Sequence, residues 1–250
     1  MAVIQHNMRF IFLGRPKRGC TAVAHYLIEN YGGEWVLPRP KRSLLQRKVI
    51  VSKKHAMLSD LLKYQYIDEE TLKTHTILIT IRNPFDRIVS TYEHSRHIYS
   101  LVEPGIEKRL ILGGWPYFTL QKVSNFDRGT AYSWATWQWN RLRKVNAMSF
   151  SEYVQYIGRV KNQPSLTGFL KPPPDIKIVP TVKYIRYENL AEDIYAFMKE
   201  RGITHPKSLS YVNVTRKNKR PYQEYYDDDS RRIIEQKYAD EIKQFNYTFN

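Results

Sequence analysis

Short apolar runs, separated by basic turns rich in glycine or proline, set the layout of this chain. Phe10-Ile11-Phe12-Leu13 reads as a buried strand, and Val23, Ala24, Leu27, Ile28 and Tyr31 follow at helical spacing. Gly32-Gly33 marks the stop of that helix. Residues 34–48 are basic and proline-bearing and read as a surface connection, with Val49-Ile50-Val51 a short strand candidate and Ala56 to Tyr66 weakly helical. Thr76-Ile77-Leu78-Ile79-Thr80-Ile81 is the clearest strand, an almost continuous apolar run of the buried parallel type. Asn83 suits the cap of a following helix, Pro84 its first position and Asp86 its first turn, with Ile88, Val89 and Tyr92 continuing it.

The second half is less regular. Residues 103–130 hold several glycines with Pro104 and Pro116 and read as a long irregular insertion. Tyr132 to Leu142 is aromatic-rich and helical in pattern, Phe150 to Val160 is a further helix, and Pro164 to Pro180 is loop-like. Thr181 to Arg186 reads as a late strand, and Leu190, Ile194, Phe197 and Met198 as a helix closed by Gly202. After a basic, tyrosine-rich stretch at 207–226, Asp228 or Asp229 caps a last helix carrying Ile234, Tyr238, Ile242 and Phe245. Strands alternating with helices, with no repeat and no low-complexity linker, predict one α/β domain over residues 1–250. A central, mainly parallel sheet would be flanked by helices.

Composition narrows the function. The chain has 250 residues and a formal net charge of +16, from 40 Lys+Arg against 24 Asp+Glu, which suits a polyanionic ligand, an acidic substrate or nucleic acid. No run of 18 apolar residues predicts a membrane span, and the N-terminal residues show no apolar signal core. A single cysteine, Cys20, excludes an internal disulfide and points to a reducing compartment, giving a cytoplasmic expectation.

The chemistry concentrates in two motifs. Gly14-Arg15-Pro16-Lys17-Arg18-Gly19-Cys20-Thr21 joins the first strand to its helix, the arrangement that seats phosphate in α/β proteins. It nearly spells the nucleotide loop G-x-x-x-x-G-K-[ST], but Cys20 stands where that loop needs lysine, and the lysine present, Lys17, lies three residues earlier. The best strand also ends in Arg82 rather than in an acidic Mg²⁺ ligand. The second motif, Arg82-Asn83-Pro84-Phe85-Asp86-Arg87-Ile88-Val89-Ser90, puts an arginine at a strand's C-terminal end and a serine on the next helix, which rises about 9 Å from Pro84 to Ser90. The plain alternatives are a connecting turn, arginines paired with carboxylates, and an ordinary helix serine.

These motifs resemble those of sulfotransferases that use 3′-phosphoadenosine 5′-phosphosulfate (PAPS). Pro16-Lys17-Arg18-Gly19-Cys20-Thr21 resembles the family's P-K-x-G-x-T loop, and Arg82, Pro84, Arg87 and Ser90 match R-x-P-x-x-R-x-x-S. Arg186-Tyr187-Glu188-Asn189-Leu190 is similar to the R-Y-E-[ND]-L junction, and the aromatic, basic C-terminal part resembles the Golgi-type carbohydrate branch. The resemblance spans roughly residues 9–247 and implies a P-loop-like sulfotransferase fold. It implies that Lys17 contacts the phosphosulfate, that the amides near Gly19 and Thr21 and the Thr21 hydroxyl cradle the 5′-phosphate, and that Arg82 and Ser90 hold the 3′-phosphate. Arg15, Pro16, Arg18 and Cys20 complete the donor loop, although the family usually has small residues where Arg18 and Cys20 stand. Arg18 would add charge or face solvent, and Cys20 would act as a small buried hydrophobe. The donor core would lie near 9–31, 76–95 and 181–202. An insertion at about 100–175 would face the acceptor, and a basic loop at 207–226, with Arg216 or Lys217, would cover the nucleotide.

Sulfuryl transfer to a hydroxyl needs a base, and His55 is the best-placed of the seven histidines. Lys54-His55-Ala56-Met57-Leu58-Ser59-Asp60-Leu61 resembles the catalytic H-A-x-x-x-[ED]-L segment of some carbohydrate sulfotransferases. His94 and Glu93 are weaker candidates. Tyr132, Trp134, Trp137 and Trp139 suit either stacking on a sugar or core packing. The expectation is therefore a sulfotransferase acting on a hydroxyl of a carbohydrate, with 3′-phosphoadenosine 5′-phosphate (PAP) as product, no metal, and no nucleic-acid partner. The rival readings are a P-loop-like nucleotide kinase and a basic nucleic-acid-binding protein.

Overall fold

The computed structural model describes residues 2–37, 41–43, 48–51, 55–111, 140–160, 165–209 and 220–250. The chain divides into two compact units: Met1–Arg42, Val49–Asn83 and Asn162–Val214 form the first, and Ser43–Lys48, Pro84–Lys161 and Thr215–Asn250 the second.

The first unit is built on a five-stranded sheet. β1 is Ala2–Gln5, β2 Phe10–Leu13, β3 Glu34–Trp35, β6 Thr76–Ile81 and β7 Val182–Arg186, in the order β3-β1-β2-β6-β7. The α/β class is as predicted, and the sheet is mixed. β2 runs parallel to β6 and β6 to β7, while β1 pairs antiparallel with both β2 and β3. β1 has no counterpart among the predicted strands. The remaining strand candidate, Val49–Val51, falls in β5 (Lys48–Val51), which pairs with β4 (Lys41–Ser43) in a separate two-stranded sheet.

Strand alternation explains why both sheet faces are apolar. Phe10, Phe12, Leu78 and Ile185 point to one face and pack against α1 (Cys20–Tyr31) and α7 (Leu190–Glu200) through Val23, Leu27, Ile194 and Phe197. Ile11, Leu13, Ile77 and Ile79, offset by one residue, are equally buried. The short helices α2 (Leu58–Lys63), α3 (Glu69–Thr74) and α6 (Leu166–Leu170) complete this unit, α6 interrupting the segment 164–180 that reads as loop.

The second unit is helical. α4 runs from Pro84 to Ile111, so its last turns take in residues 103–111, which the sequence pattern reads as irregular; residues 112–130 lie outside the described residues. Residues 140–146 are helical, α5 is Phe150–Arg159 and a 3₁₀ turn spans Tyr222–Tyr225. The predicted single last helix is two, α8 (Asp228–Lys237) and α9 (Ala239–Phe245), because the backbone breaks at Tyr238. Its cap is Asp227 rather than Asp228 or Asp229: the Asp227 carboxylate accepts the Ser230 N–H at 2.7 Å. Phe85, Ile88, Val89, Tyr92, Phe150, Tyr153, Val154 and Ile234 form this unit's core.

Candidate active site

β2 delivers the chain to the parallel strands' C-terminal edge, where residues 14–19 turn into α1. The turn is tight because two residues take left-handed backbone angles, Lys17 at φ 60° and Gly19 at φ 72°. Gly19 occupies the N-cap position and offers no side chain, and no acidic residue lies in the first turn of α1. The Val23 N–H bonds back to the Gly19 carbonyl. The earlier amides of the first turn are the ones a helix leaves without internal partners, and with Lys17 in the same turn this arrangement is chemically able to seat an anion.

Glycine is required at position 19 for a second reason. A Cβ there would stand 3.0 Å from Leu190 Cδ2 and 3.1 Å from Tyr187 Cδ2. Tyr187, just past β7, is thus the wall against which the loop closes. The same ring carries the Arg82 guanidinium, whose Cζ lies 3.9 Å from the ring centroid. Arg82 Nη1 in turn donates to the Lys17 carbonyl at 2.9 Å. The two predicted motifs therefore meet through one hydrogen bond, which fixes the residue that bears the lysine. The junction is held further by the Tyr187 N–H, which donates to the Ile81 carbonyl, and by Glu188, whose Oε1 accepts the Asn83 N–H at 2.6 Å. Sequence reading names Tyr187 and Glu188 only as parts of a junction; their support of Arg82 depends on the pairing of β6 with β7.

Other loop residues face inward. Arg18, expected to add charge or face solvent, is 2% exposed and donates from Nη1 to the Pro16 carbonyl at 3.3 Å. Arg15 is buried with its guanidinium 5.6 Å from the Phe169 ring centroid. Cys20 is buried, and burial pushes its thiol above the ordinary range, so it sits as a small hydrophobe rather than as a thiolate. Pro16, Lys17 and Thr21 are half-buried.

His55 approaches the same loop from the segment before α2. Its Nδ1 lies 3.1 Å from the Gly14 carbonyl. A carbonyl only accepts, so Nδ1 carries the proton, and in the neutral ring Nε2 holds the lone pair. The ring is thereby anchored to the residue just beyond the end of β2.

Compared with known families, residues 1–166 match the sulfotransferase family, 166 of the chain's 250 residues. The chain belongs to the sulfotransferase family. No curated protein and no solved structure matches it. The match begins before β1 and takes in the loop, His55, Arg82 and α4 of this sulfotransferase, and the Golgi-type carbohydrate branch is consistent with it.

The remaining predicted residues of the sulfotransferase fall elsewhere or outside the described residues. Ser90 is buried on α4 in the second unit. Arg87, which matches the second motif, is an internal ion-pair partner: its Nη1 donates to both carboxylate oxygens of Glu241 at 3.0 Å, and its guanidinium lies 4.5 Å from the Tyr238 ring centroid. The alternative in which Arg87 pairs with a carboxylate is the observed one, except that the pair is buried. His94 and Glu93 are half-buried on α4. Arg216, Lys217 and the aromatic residues Tyr132 to Trp139 lie outside the described residues. Among the described residues no group of three or more His, Cys, Asp or Glu is arranged for a metal ion, and no helix is long and apolar enough to cross a membrane.

Proposed function

We propose that this sulfotransferase carries the sulfuryl group from PAPS to a hydroxyl of a carbohydrate, with His55 as general base. The observation that carries this reading is the meeting of three elements at one sheet edge: a lysine in a left-handed turn, an arginine bonded to that lysine's carbonyl, and a histidine with its proton held on Nδ1. The donor set fits a nucleotide with phosphates at both ends. One seat is the uncapped start of α1 beside Lys17, and the other is the Arg82 guanidinium.

In this mechanism His55 accepts the acceptor's hydroxyl proton at Nε2 as the new O–S bond forms. Lys17 and the first amides of α1 take up the negative charge that gathers on the 5′-phosphate as the old S–O bond breaks and the electron pair leaves with PAP. Arg15 and Arg18 keep the loop's surroundings cationic. Positive side chains supply the charge that other phosphate-transfer sites draw from a metal. A basic protein surface favours an acidic or sulfated glycan over a neutral one. The one buried cysteine fits a reducing, cytoplasmic setting.

Calorimetry with PAP against ATP·Mg²⁺ tests the donor; equal or tighter binding of ATP would sink the reading. His55→Ala is expected to keep PAP affinity and to lose transfer by about 10²–10⁴-fold. Near-normal transfer in that variant removes His55 from the role. Faster transfer to a tyrosine peptide or a small alcohol than to an oligosaccharide panel rejects the carbohydrate acceptor.

A further inference from the structure

The opposite end of the parallel strands holds a second collection of basic groups. Arg9 directly precedes β2, His75 directly precedes β6, and Arg201 follows α7, with His6 in the β1–β2 turn. The Thr76 N–H donates to the Arg9 carbonyl at 2.9 Å, and Arg201 Nη2 donates to Thr76 Oγ1 at 2.6 Å. The His6 and His75 rings meet edge to face with centroids 5.8 Å apart. His75 is 9% exposed.

Hydrogen-bond accounting leaves this corner incomplete. Thr74 Oγ1 spends its proton on the Glu70 carbonyl at 2.8 Å and therefore accepts from His75 Nδ1 at 3.0 Å. That leaves His75 Nε2, buried and without a hydrogen-bond partner; Arg201 Nε is buried and unpartnered as well. Among the described residues neither Arg9 nor Arg201 forms an ion pair. Burial, then the charges of His6, Arg9 and Arg201, holds the His75 imidazole below its ordinary value, against the Thr71 carbonyl, which accepts from the His75 backbone. The nearby carboxylate, Asp68, is engaged in capping α3, where it accepts the Thr71 N–H at 2.7 Å. Buried polar groups without partners are rare in folded proteins, and a bound ion is one of the standard reasons for them.

We propose that this corner binds a tetrahedral oxyanion, a sulfate or phosphate group, held by Arg9, Arg201 and His75. The anion accepts from Arg201 Nε and from Arg9. His75 takes up one proton at Nε2 and becomes a third donor, so binding consumes a proton. The site lies at the strand ends opposite the loop and is independent of the donor seat.

The test follows the ring signals of His6 and His75 by NMR as inorganic sulfate, which does not titrate near neutrality, is added to the whole chain. Saturable shifts of both rings are expected, with affinity falling about tenfold per pH unit above the His75 titration. Arg9 is exposed and bonds through its backbone, so Arg9→Gln folds normally; it is expected to weaken sulfate about two- to fivefold and to leave PAP affinity unchanged. His75→Gln is expected to remove the pH dependence. A sulfated oligosaccharide forms the second arm: tighter binding that is also weakened by Arg9→Gln assigns the group to a chain, and equal binding assigns it to the free ion. Linear, non-saturating shifts, a pH-independent affinity, or an unchanged affinity in Arg9→Gln overturns the proposal. Loss of PAP binding in a Lys17 variant would leave it standing.

Discussion

Substituting Gly19 by alanine tests how the loop is held. The new methyl meets two separate costs. The backbone at φ 72° is left-handed, which disfavours an L side chain by about 1–2 kcal/mol. The Cβ would also sit 3.0 Å from Leu190 and 3.1 Å from Tyr187, and such crowding costs about 1–3 kcal/mol when neighbours must shift. The sum is about 2–5 kcal/mol against a typical total stability of about 5–15 kcal/mol, so the protein stays folded. Gly202→Ala is the matched control, because Gly202 has φ 88° with nothing within 4 Å of a built Cβ and pays only the backbone cost. Urea unfolding of both variants separates the two costs by subtraction. The functional consequence runs through Tyr187: pushing its ring displaces Arg82, which releases the Lys17 carbonyl. Calorimetry should therefore show PAP affinity reduced by about tenfold or more in Gly19→Ala and unchanged in Gly202→Ala. If the two variants lose the same stability, or if Gly19→Ala binds PAP like the parent, the close packing of loop on ring has no energetic meaning and the reasoning fails.

Three further outcomes are expected. Glu241→Ala leaves the buried Arg87 guanidinium without its carboxylate and should cost about 3–5 kcal/mol in urea unfolding, whereas a loss below about 1 kcal/mol would show water reaching the site. Lys17→Gly relieves a left-handed lysine and should raise stability by about 1 kcal/mol while abolishing transfer; unchanged transfer would take Lys17 out of the mechanism. Hydrogen bonds from the Thr71, Ser149 and Ser230 ends of their caps hold the Asp68, Glu152 and Asp227 carboxyls below the ordinary range. Their folded values are depressed, so their contribution is complete above the unfolded range near pH 4 and is lost as pH falls through the folded values. Asp68→Asn with Asp227→Asn should flatten the acid limb of a stability-against-pH curve, and an unchanged limb would refute the assignment.

What the sequence reveals of this fold follows from where its signals are local. β2 and β6 are apolar runs, β7 mixes Val182, Tyr184 and Ile185 with Lys183 and Arg186 just ahead of a recognisable junction, and the loop is a contiguous motif, so each is read without knowing its neighbours. β1 escapes because it is short and ends in Gln5, a buried polar residue whose amide donates to the Tyr31 carbonyl and accepts the Met8 N–H. The break at Tyr238 escapes because Ile234, Tyr238, Ile242 and Phe245 keep helical spacing across it. Residues 103–111 continue α4 despite Pro104, which disfavours a helix interior and so hides the continuation from the sequence pattern. Among site residues, the Arg82 and Lys17 positions are legible from their motifs, but the bond between them is not. Arg87 shares the same motif and goes instead to Glu241, 154 residues away, a partner that only the folded chain reveals.

The hydrogen bond from Arg82 to the Lys17 carbonyl also limits what an engineer can borrow. Residues 14–21 look like a portable cassette, since they contain the lysine, the turn and the start of the helix. Grafted onto another strand–helix unit, they would arrive without the guanidinium that fixes Lys17 or the ring that fixes the guanidinium. The smallest transferable piece is therefore discontinuous. It comprises the loop, the end of β6 and the junction after β7, and it moves only with the strand order that sets them side by side.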